Sequence, residues 1–326
     1  MKKISLIIFS YNRAILLDVV LFYIFKNFKN KPKKIDIIYH YDKNHKKSYD
    51  LLQKKWKKYN VYFHIRKNIS IFKFGLLIFR PLNLLWFIRW PSIIKYSNNF
   101  KLLLENIIDK NKNSFVSMVT DDQVFFKKTV IPNLIFDKLI KEKRIFYRFF
   151  TGNHFKDDHK IHPKLKVVNY NKTKPKIFSW STEDKYASAS WKYRFTIDGT
   201  IYKKDDLLKL IKPMIYHNPI TLEAIGLWES RFRGFFKIGY STQKRTAAHY
   251  QINNVQQLVV NQCSNFNPNI LMRAYLSGCK LKIDENEFIE NKFNILPKKI
   301  NLIYKKKKIN YFKLFRDLSN YNPNLR

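Results

Sequence analysis

The sequence predicts an α/β protein built on a mostly parallel sheet with helices on both faces, and three observations predict it. Apolar runs of strand length alternate with segments of helical periodicity through the first 130 residues, the pattern of strands joined by crossover helices. The chain has 326 residues, 45% of them hydrophobic, with 28 Phe and 20 Tyr, which is enough for one large α/β domain or two small ones and excludes a disordered composition. The apolar run at 114–119 delivers Thr120-Asp121-Asp122 at its end, and open α/β sheets bind ligands at the carboxyl ends of their strands.

In chain order, residues 4–10 read as a buried strand and 14–27 as a helix with apolar residues at helical spacing. Residues 31–34 form a turn around Pro32, 35–41 a second strand, 48–59 a second helix and 61–65 a third strand. Residues 100–110 read as a helix and 114–119 as a fourth strand. Beyond Val130 the pattern is irregular: a strand at 145–151, a polar loop at 155–176 flanked and filled by His154, His159 and His162, and helices at 204–211 and 219–230. Segments 255–262 and 269–277 close the domain. From about residue 298 a Lys305-Lys306-Lys307-Lys308 block precedes Tyr311, Phe312, Leu314 and Phe315, the composition of a surface-lying amphipathic helix or of a disordered basic tail.

Lys plus Arg outnumber Asp plus Glu by 63 to 24, a net charge of +39 that calls for an anionic partner: nucleic acid, phospholipid or a phosphorylated substrate. The same Lys, Asn, Ile, Phe and Tyr bias also follows from an AT-rich coding sequence. Cys263 and Cys279 form neither a CxxC pair nor a zinc spacing, so a reducing cytoplasm is the expected compartment. The apolar N-terminus runs straight into Ser10-Tyr11-Asn12-Arg13 with no small-residue cleavage site, and reads as a first strand. No segment reaches the ~18 uncharged apolar residues of a membrane span. The nearest, 71–96, is broken by Lys73, Arg80, Pro81, Arg89 and Pro91; it fits a segment lying in a lipid interface or an aromatic element packed on the core.

The chemistry centres on Asp121-Asp122. Two adjacent carboxylates on a strand-terminal turn can present oxygens to Mg²⁺ or Mn²⁺, which complete their shells with substrate phosphates and stabilise a departing diphosphate. Acidic pairs also cap helices and sit on solvated loops, but this pair stands between an apolar run and Gln123-Val124-Phe125-Phe126 in a chain poor in acids.

The strand, Ser10-Tyr11-Asn12-Arg13, helix opening, followed a hundred residues on by Val119-Thr120-Asp121-Asp122-Gln123-Val124-Phe125, resembles the GT-A glycosyltransferases, which use a nucleotide sugar and a DxD-like acidic motif. Gln123 stands where a strict DxD has its second acid, which leaves either aspartate as the direct ligand. Later segments resemble a bacterial group of such enzymes: Trp191 with Asp198-Gly199-Thr200-Ile201-Tyr202, Asn218-Pro219-Ile220-Thr221-Leu222-Glu223, Val255-Gln256 with Asn261, and Tyr275-Leu276-Ser277-Gly278. The resemblance covers about residues 3–290.

It implies a GT-A domain at 1–295, with a nucleotide-sugar half at 1–130 and an acceptor half at 131–295, and a basic amphipathic tail at 296–326. It implies that Ser10, Tyr11, Asn12, Arg13 and Asp121 lie in the nucleotide pocket, that Asp121 and Asp122 hold Mn²⁺ or Mg²⁺, and that the donor is a UDP-sugar. Position after the first strand supports Tyr11 against the base and Arg13 near the diphosphate; a helix-start cation is the alternative for Arg13. Asp42, after the second strand, is placed for uracil or ribose, or is a turn residue. An inverting transfer needs a general base, and Asp198 and Glu223 are the candidates; a tight Asp-Gly turn and a capping-box acid are their structural alternatives. Trp180, Trp191, Tyr193 and Trp228 are candidate sugar platforms or core aromatics. His217 and His249 read as surface or partner-satisfied residues, with an approach to a phosphate or the metal the alternative for His249 in Arg245-Thr246-Ala247-Ala248-His249-Tyr250.

The acceptor this implies is a glycan or lipid-linked glycan of surface polysaccharide synthesis, lipopolysaccharide or capsule, with the enzyme peripheral on the cytoplasmic face of an anionic membrane. Two other classes compete. A nucleic-acid-binding protein would match the charge, but no helix-turn-helix, RNP-type or zinc signature is present and the basic residues are dispersed, which argues against a nucleic acid partner. A metal-dependent nucleotidyltransferase would want a glycine-rich loop after the first strand, and no glycine precedes Gly75.

Overall fold

The computed structural model describes residues 3–29, 31–68, 98–149, 166–167, 176–187, 189–242, 245–254, 263–288 and 294–319. Strand β1 (Ile4–Tyr11) leads through helix α1 (Ala14–Asn27), β2 (Lys34–His40), α2 (Lys46–Trp56), β3 (Val61–Ile65) and α3 (Phe100–Asp109) to β4 (Phe115–Thr120). The central strands β1 and β4 are nearly continuous apolar runs because they are buried on both faces. Side chains alternate across a strand, so Ile4, Leu6 and Ile8 of β1 join one core while Ile7 and Phe9 join the other. In β4, Phe115 and Val119 face the first core, Val116 and Met118 the second. Each such Ile, Leu or Val contributes roughly 1.5–3 kcal/mol by burial.

The second part comprises β5 (Gln123–Val124), α4 (Asn133–Lys141), β6 (Ile145–Arg148), β7 (Lys166–Val167), β8 (Ile177–Ser181), α5 (Ala189–Lys192), β9 (Thr200–Lys203), α6 (Lys204–Ile211), α7 (Pro219–Phe232) and β10 (Ile238–Thr242). It continues with β11 (Ala248–Tyr250), α8 (Pro268–Leu276), β12 (Lys280–Lys282), β13 (Asn294–Ile295), β14 (Asn301–Tyr304), β15 (Lys307–Asn310) and α9 (Tyr311–Ser319).

Among the described residues the main sheet has nine strands in the order β3-β2-β1-β4-β9-β6-β10-β8-β7. The pairs β3/β2, β2/β1, β1/β4 and β6/β10 are parallel; β9 is antiparallel to β4 and β6, and β8 to β10 and β7. Seven strands therefore run one way, and the fold is the mostly parallel α/β sheet that the sequence predicts. From β1 the chain builds β2 and β3 on one side and then crosses to β4 on the other, which makes the β1/β4 edge the topological switch point.

Two small sheets complete the fold, β13-β11-β5 and β12-β14-β15. The second corrects the reading of the basic tail. Lys305 and Lys306, at φ +43° and +67°, are the two-residue turn of the β14–β15 hairpin, and Lys307 and Lys308 lie in β15. The Lys block is thus hairpin, and the helix starts only at Tyr311, which is buried edge-on against Phe266 with its hydroxyl accepting the Asn267 N–H at 3.0 Å. The segments 71–96, most of 155–176 with His154, His159 and His162, 255–262 with Val255, Gln256 and Asn261, and everything after 319 lie outside the described residues.

Candidate active site

Sheet register builds the site. Pairing of Tyr11 with His40 and of Phe9 with Thr120 aligns the carboxyl ends of β2, β1 and β4. On the β2 side, Tyr11 stacks on His40 (centroids 5.7 Å apart, 12° between planes) and donates through its hydroxyl to Asp42 Oδ1 at 2.9 Å. Asn12, at φ +54°, donates its amide to Asp42 Oδ2 at 2.7 Å and accepts the Asp42 N–H at 2.9 Å. Burial and then the Asp42 carboxylate push the Tyr11 phenol up to about 12, so it stays a neutral donor. Arg66 follows β3 directly, its N–H bonded to Tyr39 O at 2.8 Å, and its charge acts on Tyr11, His40 and His217. Sequence reading did not single out Arg66; its place after the third strand, equivalent to that of Asp42 after the second, was the available signal.

On the β4 side, Ser10 is buried. Its hydroxyl lies 2.7 Å from Tyr49 Oη and donates to Asp121 Oδ2 at 2.7 Å, joined there by Tyr11 N–H at 3.2 Å. Arg13 turns inward. Its Nη1 lies 3.1 Å from Asp121 Oδ1 and 3.2 Å from Asp122 Oδ2, while Nε donates to Asn253 Oδ1 at 3.0 Å and Nη2 to the Asn253 carbonyl. Thr120 Oγ1 donates to Asp122 Oδ1 at 2.5 Å, and His249 Nδ1 stands 3.4 Å from the same oxygen. Burial would raise Asp122, but His249, Arg13 and Thr120 hold it below the usual carboxylate range; burial and the Asp122 charge lift Asp121 despite Arg13.

This arrangement does not fit the divalent cation expected at Asp121 and Asp122. Every oxygen of the two carboxylates already has a donor, and the guanidinium stands between them. Gln123, in the position of the missing acid, is buried and donates to Asp198 Oδ1 at 2.6 Å. Among the described residues no group of three His, Cys, Asp or Glu side chains is arranged to hold a metal.

A second cluster stands beside the pair. Asp122 and His249 are 127 residues apart, yet antiparallel pairing of β11 with β5 sets His249 opposite Gln123, and Tyr250 N–H bonds the Asp122 carbonyl at 2.7 Å. His249 Nε2 faces Asp198 Oδ2 at 3.6 Å. Burial opposes its charge, but Asp198 and Asp122 raise its pKa to about 10. Asp198 returns to the end of β4 because β9 is antiparallel; Gly199, at φ +56°, makes that turn and donates to Met118 O at 2.9 Å.

Glu223 comes from α7. The helix is capped by Asn218 and Thr221, whose N–H donates to Asn218 Oδ1 at 2.8 Å, so Glu223 is not the capping acid. Gly226 lets Phe195 pack where a Cβ would clash, which seats the helix. Thr196 Oγ1 and Ile197 N–H both donate to Glu223 Oε1, the latter at 3.3 Å, and no hydrogen bond falls on Oε2 among the described residues. Burial and then Asp198 push Glu223 up to about 8. Arg148, at the end of β6 and buried, has its charge next to Asp198 and Glu223 and donates to the Tyr193 carbonyl. Neither Arg148 nor His249 lies in a local motif; long-range pairing alone brings them here.

Trp180 and Trp191 are core side chains, packed edge-on at 4.9 Å, with Trp180 Nε1 donating to Trp191 O at 3.1 Å; neither is a sugar platform. Tyr193 and Trp228 are exposed, at 39% and 52%.

No family model matches the sequence, and no curated protein matches it. Among solved structures the chain is similar to Staphylococcus aureus TarS 1–349 (TM-score 0.43, 11% identity, 85% of this chain and 64% of that one). It is also similar to the same protein with UDP-GlcNAc (0.40, 10%, 85% and 66%) and with UDP (0.38, 13%, 74% and 57%). The chain spans about two thirds or less of the length of these structures.

Proposed function

We propose that this chain is a glycosyltransferase that moves a hexosyl or related sugar from a UDP-sugar to a hydroxyl of a glycan or lipid-linked glycan. The observation that carries the reading is the juxtaposition at one sheet edge of a nucleoside rim, Tyr11, Asp42 and Arg66, with a buried acid cluster in which Glu223 Oε2 is unengaged among the described residues. The resemblance to GT-A enzymes in the Ser10-Tyr11-Asn12-Arg13 and Asp121-Asp122 segments supports it. In the transfer, the acceptor oxygen bonds the anomeric carbon while that carbon's bond to the diphosphate oxygen breaks. The bonding pair leaves with UDP and the acceptor proton passes to Glu223 Oε2. Both Asp198 oxygens face other groups, Gln123 and His249, so Asp198 is assigned to positioning and to raising the basicity of Glu223.

The acceptor belongs, in this proposal, to lipopolysaccharide or capsule synthesis at the cytoplasmic membrane face. Support comes from the +39 charge and from α9, where Phe312 is exposed beside exposed Lys313 and Arg316. No helix among the described residues is long and apolar enough to cross a membrane. Binding to anionic vesicles should weaken with salt and with Phe312→Ser; no binding at low salt would remove the membrane part.

The class is tested by melting the protein with UDP, GDP and CMP. UDP at ~100 times its Kd should stabilise by about 2.7 kcal/mol through mass action. No nucleotide raising the Tm would defeat the reading.

A further inference from the structure

We propose that the donor diphosphate binds this site without a divalent cation, the place of the metal being taken by the Arg13 guanidinium. The inference rests on the glycosyltransferase reading above but departs from its usual metal chemistry. A small divalent cation needs carboxylate oxygens at about 2.0–2.2 Å in a near-octahedral shell. The two oxygens that face each other across the pair, Asp121 Oδ1 and Asp122 Oδ2, are 3.1 and 3.2 Å from Arg13 Nη1. A cation bound to both would have to share them with that nitrogen and stand against its charge. Moving Arg13 aside would break both ion pairs and its bonds to Asn253, which reach it from a segment 240 residues distant.

The remaining oxygens are no freer. Asp121 Oδ2 holds Ser10 and the Tyr11 N–H, and Asp122 Oδ1 holds Thr120 with His249 alongside. The third position of the motif supplies no charge, because Gln123 is an amide already bonded to Asp198 and, through Oε1, to Thr120 N–H at 3.0 Å. Three features thus agree: an acid deleted from the motif, an internal cation bridging the acids that remain, and donors on each of their oxygens. Arg13 leaves the pair without much of the surplus negative charge that draws a metal, and the diphosphate meets the guanidinium in its place.

The test is calorimetric titration of UDP into the full chain in EDTA and again in Mn²⁺. The expected result is the same Kd within about tenfold. A Kd at least about tenfold weaker in EDTA overturns the proposal while leaving the donor reading standing. Binding in neither condition overturns the donor reading and this inference with it. Arg13→Gln sharpens the test: Mn²⁺ alone should raise the melting temperature of that variant and not of the wild type. Mn²⁺ raising the wild-type melting temperature to the same degree contradicts the proposal, and the wild-type titration decides even if the variant does not fold.

Discussion

The proposed nucleotide edge and the proposed acceptor edge of this site are built in opposite ways. The first gathers Tyr11, Asn12, Arg13, Asp42, Asp121 and Asp122 from the ends of three adjacent parallel strands, each within a few residues of an apolar run. The second gathers Arg148, Asp198, Glu223 and His249 from a strand's end, a reversed strand's entry turn, a helix and the middle strand of a small three-stranded sheet. Local periodicity can place the first set. Only long-range pairing places the second, and the chemistry of sugar transfer is assigned largely to it.

The largest expected effect on stability falls where the two edges meet. Asp121→Ala leaves Arg13 buried with half its compensation and Ser10 and Tyr11 N–H without their acceptor, at a cost of about 3–5 kcal/mol. Chemical denaturation measures it; a loss under ~1 kcal/mol would mean that the Arg13 bridge is not a structural ion pair. In the later half of the chain, Trp191→Ala should cost about 3–5 kcal/mol as a cavity in the second core, while exposed Trp228→Ala stays within ~0.5 kcal/mol. Equal effects of the two would erase the distinction drawn here between core tryptophans and an exposed platform.

The pH profile separates the edges further. Glu223 is raised to about 8 from an ordinary 4.5, so its ionised, basic form grows as pH rises through 8, and kcat/KM should rise with it. The sign for stability is opposite: a raised carboxyl favours the fold at low pH, and wild type should lose stability relative to Glu223→Gln as pH climbs from about 4.5 to about 8. A flat activity profile over this range removes Glu223 as the base. The smallest effect is expected at the rim, where Tyr11→Phe removes one hydrogen bond to Asp42 and should weaken UDP by about fivefold with little change in Tm.

Much of the fold was legible for the same reason that the nucleotide edge was. Through β4, the expected elements fall within three residues of the observed ends, because doubly buried strands and crossover helices leave periodic marks. The later half resisted. β9 inserts antiparallel between β4 and β6, a choice no local pattern encodes. The Lys305-Lys306 turn lacks the Asn-Gly or Asp-Gly signature of a hairpin with two left-handed residues, so the Lys block reads as the lead-in to an amphipathic helix or as a disordered tail. Asp121-Asp122 could be located by position, but its bridging by Arg13 could not, since the same motif suits a metal or an arginine. Trp180 and Trp191 read as surface or core alike until packing decided.

The central claim is that Glu223 acts as base on a nucleotide sugar bound at the Tyr11–Asp42 rim. It is tested most directly by pairing UDP titration with turnover of a UDP-sugar that the wild type accepts, in wild type and Glu223→Gln. The account predicts an unchanged Kd for UDP within about twofold and turnover reduced by about 10²–10⁴. Full turnover in Glu223→Gln, with UDP binding intact, would contradict it.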